Sequence, residues 1–209
     1  MNEFIVRARA AAVDADRFLA QVGQGQGVEY LSDILRHALF ISQGHREDVK
    51  VSLVLEKSQD FSRVVTLSGD SLGSLDDIHE MALLEAIAGA LREAAKLSKH
   101  ETCTDNRGIS VTAKSFEQLV RERAEAGTVF LLDPDGEDVR SKEVSGDLSE
   151  AVFVMTDHTP MPKNTFKSMQ RQGVKKLSLG PRMLHTAQCV SILLNELDRL
   201  RNNPPLLND

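Results

Sequence analysis

Apolar positions along this chain alternate between two periods, and the switches mark its elements. In EFIVRARA, Phe4 and Val6 alternate with Ile5 and Arg7, which predicts an opening strand. GQGQG follows; no strand leads into it and the spacing of a dinucleotide fingerprint is missing, so Gly23, Gly25 and Gly27 read as a flexible connector. Val28, Leu31, Ile34, Leu35, Ala38, Leu39 and Ile41 then recur at intervals of three and four, an amphipathic helix that stops at Gly44 with Arg36 and His37 off its apolar stripe. VKVSLVLEK and RVVTLSG, rich in Val and Leu and separated by SQDFS, predict a strand pair. SLDDIHEMALLEAIAGALREAAKL predicts a long helix, with Ser74 as its cap and acidic residues where the helix dipole favours them.

GISVTA predicts a short strand, and Ser115 opens a helix, FEQLVRERAEAG, that ends at Gly127. From there TVFLLDPDGED, AVFVMTDHTP and VKKLSLGPRM are each a short apolar run followed by a polar or Gly/Pro turn, with the helix PKNTFKSMQRQG between the second and third. Short continuous apolar runs are the pattern of strands covered on both faces, so the predicted class is α/β, a mostly parallel sheet flanked by helices. Neither repeat nor low-complexity linker divides the chain, which reads as a single domain over 1–209. The last helix is unusually apolar: Leu184, Cys189, Val190, Ile192, Leu193 and Leu197 cover more than the roughly 100° stripe of an ordinary surface helix. It should be covered on two sides, by its own core and by a second subunit.

Composition narrows the class. At 209 residues with 41% hydrophobic and 27% charged, the chain can bury a core, and with 4% aromatics and no Trp that core must be aliphatic. No apolar run approaches the roughly 18 residues of a membrane span, and the N-terminus lacks a signal pattern, so a soluble, cytoplasmic protein is expected. Cys103 and Cys189 have neither CxxC spacing nor a nearby ligand cluster, which argues against a zinc site. The net charge of −6 announces no positive field. Its distribution changes that picture, because His158 to Asn195 contains no Asp or Glu but carries Lys163, Lys167, Arg171, Lys175, Lys176 and Arg182. Lys163, Lys167 and Arg171 fall at i, i+4 and i+8 and share one helix face, while Phe166 and Met169 can face the sheet. A run of this kind is either a solvated face or a seat for an anionic partner, and its position beside the Gly180–Pro181 turn favours the partner.

Ligands of open parallel sheets gather at the carboxyl ends of strands, and here those ends carry DPDGED, TDHTP and LGPRML. DPDG suits a simple turn and lacks the ligand periodicity of a calcium loop. Asp157 and His158 form either an acid–base pair or a structural corner, and His185 has the same two readings. Neither a Ser/His/Asp signature nor HExxH appears, which leaves hydrolysis with little support. Gly180, without a Cβ, lets a ligand pack on the main chain, and Pro181 fixes the turn; a plain strand-to-helix corner accounts for them equally.

LSLGPRMLHTAQCVSILLNELDRL resembles the C-terminal signature of the archaeal tRNA pseudouridine-54 N1-methyltransferases, a branch of the SPOUT methyltransferases. ILRHALFISQGHREDVKVSLVL is similar to that family's first helix and following strand, LLDPDGED to its acidic turn and VFVMTDH to its second cofactor loop, so the resemblance spans essentially the whole chain. It implies a SPOUT-type α/β fold with a C-terminal trefoil knot over about 128–203, a homodimer, and S-adenosyl-L-methionine bound in the knot. The knot rests on resemblance alone, since general rules of chain topology favour un-knotted paths. The cofactor is implied against Leu132 after the first strand, Met155 and Thr156 after the second, and Leu179, Gly180, Leu184 and Cys189 around the last turn. Such mostly apolar positions suit adenine packing with hydrogen bonds from the main chain. Thr156 departs from the family, which carries Gly there.

The implied reaction transfers methyl to N1 of a pseudouridine in tRNA or another RNA, with Arg36 as donor to the developing negative charge and Asp157 orienting substrate or accepting the proton. Lys163, Lys167, Arg171 and Arg182 become RNA phosphate contacts. With few aromatics, recognition by stacking platforms is not expected. Two other readings compete: the same chemistry on a different RNA base, and a non-catalytic dimeric module that binds S-adenosylmethionine or RNA.

Overall fold

The computed structural model describes residues 1–75 and 77–202. Its elements are β1 (Asn2–Ala12), α1 (Ala15–Ala20), α2 (Glu29–Leu39), β2 (Phe40–Ile41), β3 (Gly44–His45), β4 (Val49–Lys57), β5 (Arg63–Ser68) and α3 (Glu80–Glu93), then β6 (Thr102–Thr104), β7 (Ser110–Ala113), α4 (Phe116–Ala126), β8 (Val129–Asp138), α5 (Lys142–Ser145), β9 (Val152–Thr156), α6 (Lys163–Arg171), β10 (Lys175–Ser178) and α7 (Thr186–Asn202). Eight strands form one sheet in the order β10-β8-β9-β1-β4-β5-β7-β6. The β10 to β4 half is parallel, and β5, β7 and β6 continue it antiparallel. The sequence expectation of a mostly parallel α/β sheet describes this architecture. Within the predicted single domain over 1–209, residue 76 and residues 203–209 lie outside the described residues.

Both sheet faces are covered, which is why the strand sequences read as continuous apolar runs. Along β1, Phe4, Val6 and Ala8 enter a core with α1, α2, α3 and α7, while Ile5 enters a second core under α4 and α6. Side-chain alternation along a strand makes that division unavoidable. Two charges are drawn into the second face and paired there. Glu3 accepts from Arg123 Nε at 2.5 Å and from Ser52, and Arg7 bonds Glu56, Glu117 and Thr165 with its guanidinium 4.4 Å over the Phe116 ring.

Local chemistry explains where helix bounds meet or miss the sequence pattern. Ser115 caps α4 by accepting from the Gln118 N–H, and Gly127 closes it, both as expected. The α3 helix starts later than its pattern, at Glu80, and His79 rather than Ser74 is its cap. Asp77 Oδ1 accepts the backbone N–H groups of Ile78 at 2.6 Å and His79 at 3.1 Å, a local turn that holds the approach out of helical geometry. The α2 helix stops at Leu39, where the chain turns into the small β2–β3 hairpin before Gly44 is passed.

Candidate active site at the carboxyl ends of the parallel strands

Three adjacent strands, β10, β8 and β9, end side by side. Leu131 pairs with Val154, so Leu132 stands beside the Met155–Thr156 end of β9, and Leu179 and Gly180 follow the last paired residue of β10. Between Leu131 and Glu137 the DPDG segment leaves the ladder, while β10 continues directly from Lys176 to Leu177. The segment is a bulge inside β8 rather than a turn that ends it. Gly136 makes this possible, because a Cβ there would lie 2.5 Å from the Leu177 nitrogen. Lys176 Nζ pairs with Asp133 at 2.9 Å and the Asp135 N–H donates to the same side chain. Burial works against ionisation of Asp133, but these bonds hold its carboxyl below the ordinary range.

The start of α7 crosses to this point. Thr186 Oγ1 donates to the Thr156 carbonyl at 2.5 Å and to the Asp157 carbonyl at 3.3 Å. Leu132, Leu179 and Ala187 pack, half-buried, against the same core that contains Met155. Cys189 Sγ lies 4.0 Å from the Leu184 carbonyl oxygen, and burial pushes its thiol pKa up, which disfavours the thiolate. All seven positions implied for the cofactor thus lie around one seam. Gly180 has φ +119, a conformation that favours glycine, and open space lies where its Cβ would be. Leu132 and Leu179 pack half-buried on the core that holds Met155, apolar surface of the kind on which an adenosyl group packs.

Asp157 begins the next loop. Its side chain is only 3% exposed, its N–H donates to the Arg7 carbonyl, and its Oδ1 accepts from Thr159. Burial raises its pKa, against the pull of the Thr159 N–H, His158 and Arg9. His158 Nδ1 stands 3.6 Å from Asp157 Oδ2. Arg36 lies elsewhere on α2, paired with Asp33 at 2.9 Å and donating from Nε to the Ile78 carbonyl; no hydrogen bond joins it to Asp157 among the described residues.

Lys163, Lys167 and Arg171 are exposed on α6, whose other face buries Met169 and packs Phe166. Arg182 is exposed on the turn after Gly180. Lys175 and Lys176 are instead spent on Asp147 and Asp133, so the acidic stretch before β9 cancels part of the basic one. Among the described residues, no trio of His, Cys, Asp and Glu is placed to hold a metal ion, and no helix is long and apolar enough to cross a membrane. One contact escaped the sequence reading. The GQGQG segment reaches the site, since a Cβ on Gly27 would lie 2.5 Å from the His158 ring, and Tyr30 behind it meets both His158 and His185.

Fold and site together define an α/β protein whose parallel strands β10, β8 and β9 end side by side, with an exposed basic face on α6. The family described as "Putative SAM-dependent RNA methyltransferase" matches residues 1–202, and the chain belongs to it. Relatives named "Putative pseudouridine methyltransferase" include one from Photobacterium profundum, 42% identical over 198 residues, 95% of this chain and 98% of that protein. Another, from Alcanivorax borkumensis, is 41% identical over 199 residues with the same shares covered. The crystal structure of Archaeoglobus fulgidus Nep1 bound to S-adenosylhomocysteine aligns with a TM-score of 0.64 over 97% of this chain and 99% of that one; at 12% identity this shows a shared fold. The chain is thus an S-adenosylmethionine-dependent RNA methyltransferase by family.

Proposed function

We propose that the protein transfers a methyl group to N1 of a pseudouridine in a structured RNA, with tRNA as the substrate class. What carries the choice of base is the name shared by relatives more than 40% identical across nearly the whole chain. The seven seam residues Leu132, Met155, Thr156, Leu179, Gly180, Leu184 and Cys189 would hold S-adenosylmethionine, which when bound supplies the methyl group as an electrophile. Asp157 takes the N1 proton: burial raises its pKa, which makes it a stronger base than an ordinary carboxylate. Arg36 is the donor toward the charge that spreads onto the ring oxygens. Lys163, Lys167, Arg171 and Arg182 bind phosphates.

The same proposal includes a cytoplasmic homodimer and a trefoil knot over about 128–203, of which residue 203 lies outside the described residues. The Thr186 hydroxyl holds the start of α7 against the end of β9, a contact that such a knot requires but that an unknotted path also allows. The test is methyl transfer from labelled S-adenosylmethionine to RNAs carrying uridine or pseudouridine at matched positions. Transfer to pseudouridine alone is expected; transfer to uridine or to another base rejects the reading.

A further inference from the structure

Three rings gather where the GQGQG segment, the loop after β9 and the start of α7 meet. The Tyr30 and His158 centroids lie 5.6 Å apart at 43°, and those of Tyr30 and His185 lie 6.4 Å apart at 15°. His158 is held from two sides. Gly27, at φ +76, passes where a Cβ would lie 2.5 Å from the ring, and Asp157 Oδ2 stands 3.6 Å from Nδ1. His185 immediately precedes Thr186, which is fixed on the Thr156 carbonyl at 2.5 Å. The rings are nonetheless open to solvent: Tyr30 is 45% exposed and the His158 side chain 38%. His158 and His185 closely follow Thr156 and Leu184 in the chain.

Aromatic surface is scarce in this protein, with one Tyr and no Trp, so an exposed and positioned ring at the site calls for a use. Chemistry on a base in structured RNA requires that base to leave its stack, and an aromatic side chain replaces the lost stacking. Imidazole nitrogens can donate to or accept from the edge of a uracil-type ring. We propose that Tyr30, His158 and His185 form the receptor for the flipped-out base that receives the methyl group, with Tyr30 as the stacking face and the imidazoles at its edge. This rests on the RNA methyltransferase reading above and goes against the sequence-based expectation that stacking plays no part. Basic α6, which starts shortly after His158, then meets the adjoining phosphates.

Because Tyr30 is the sole tyrosine, protein labelled with 3-fluorotyrosine gives one fluorine resonance that reports this ring directly. An RNA first shown to accept methyl is added in the presence of S-adenosylhomocysteine, alongside the same RNA made abasic at the methylated position. The Tyr30 line is expected to shift with the intact RNA and to stay near its free position with the abasic one. Tyr30→Leu should weaken RNA binding and raise the RNA KM about tenfold while S-adenosylmethionine affinity is unchanged, and Tyr30→Phe should restore both. Equal shifts with both RNAs, binding with no shift, or a wild-type KM for Tyr30→Leu overturns the receptor. If no RNA accepts methyl, the methyltransferase reading itself falls and the receptor with it; if transfer proceeds while the Tyr30 line is silent, only the receptor falls.

Discussion

At Asp157, stability and the proposed proton transfer oppose one another. Its folded pKa lies above the unfolded value because burial penalises the carboxylate. A group shifted upward contributes stability at pH below its unfolded pKa, and that contribution is lost as pH rises through the folded value. Above the folded pKa the buried carboxylate is therefore a burden on the fold. Asp157→Asn keeps an acceptor for the Thr159 N–H and removes the charge. It should raise the melting midpoint by about 2–4 °C at about pH 8, lose that advantage near pH 4, and slow methyl transfer by about a hundredfold or more. Thermal melts across pH together with turnover measure both. Arg36→Ala belongs to the same scale: its partners are Asp33 and the Ile78 carbonyl at the protein surface. Little stability should be lost with it. Single-turnover rates about a hundredfold lower with unchanged cofactor affinity are expected; an unchanged rate removes Arg36 from the mechanism.

At the scale of elements, the β8 bulge and α6 carry separable duties. The bulge exists because Gly136 lets main chain meet main chain at Leu177, contact that no side chain could share. Gly136→Ala forces β8 and β10 apart, and with them Leu132 and Leu179. A loss of about 1–3 kcal/mol in denaturant unfolding and weaker S-adenosylhomocysteine binding by calorimetry are expected. In contrast, Lys163 and Lys167 are exposed on α6. Reversing both to Glu should leave the fold and cofactor binding intact, yet weaken RNA binding at least tenfold and flatten its dependence on salt.

What could be read from sequence follows the same division. The α4 helix was legible almost to the residue because Ser115 and Gly127 act on their immediate neighbours. The strand ends that build the seam were legible because apolar runs and polar breaks are local too. The bulge was not: DPDG satisfies turn chemistry, and only the partner strand shows that β8 continues beyond it. Gly27 read as a connector for the same reason. Its positive φ favours glycine locally, but its closeness to the His158 ring, distant in sequence, arises only once β1 and β9 pair.

Over the whole molecule, the excess of apolar residues on α7 has been assigned in part within the chain. Val190, Leu193, Leu194 and Leu197 enter the main core, and α2 lies along the helix, tied by His37 to Ser191 at 2.7 Å and, from the following loop, by Arg46 to Asp198. Ile192 remains only half-buried, and Ile41 just beyond α2 is 52% exposed. Burying such residues in a second copy would gain roughly 25 cal/mol per Å² of apolar surface, which favours the proposed homodimer. Ile192→Asp would place a charge in that contact while leaving the four core positions untouched. Sedimentation should show a dimer for the unaltered protein and a shift toward monomer for the variant. Retained methyl transfer by that monomer would mean each chain completes its own site; lost transfer with intact cofactor binding would mean that the partner helps complete it, with Arg36, whose hydrogen bonds go to Asp33 and Ile78, as the first residue to test.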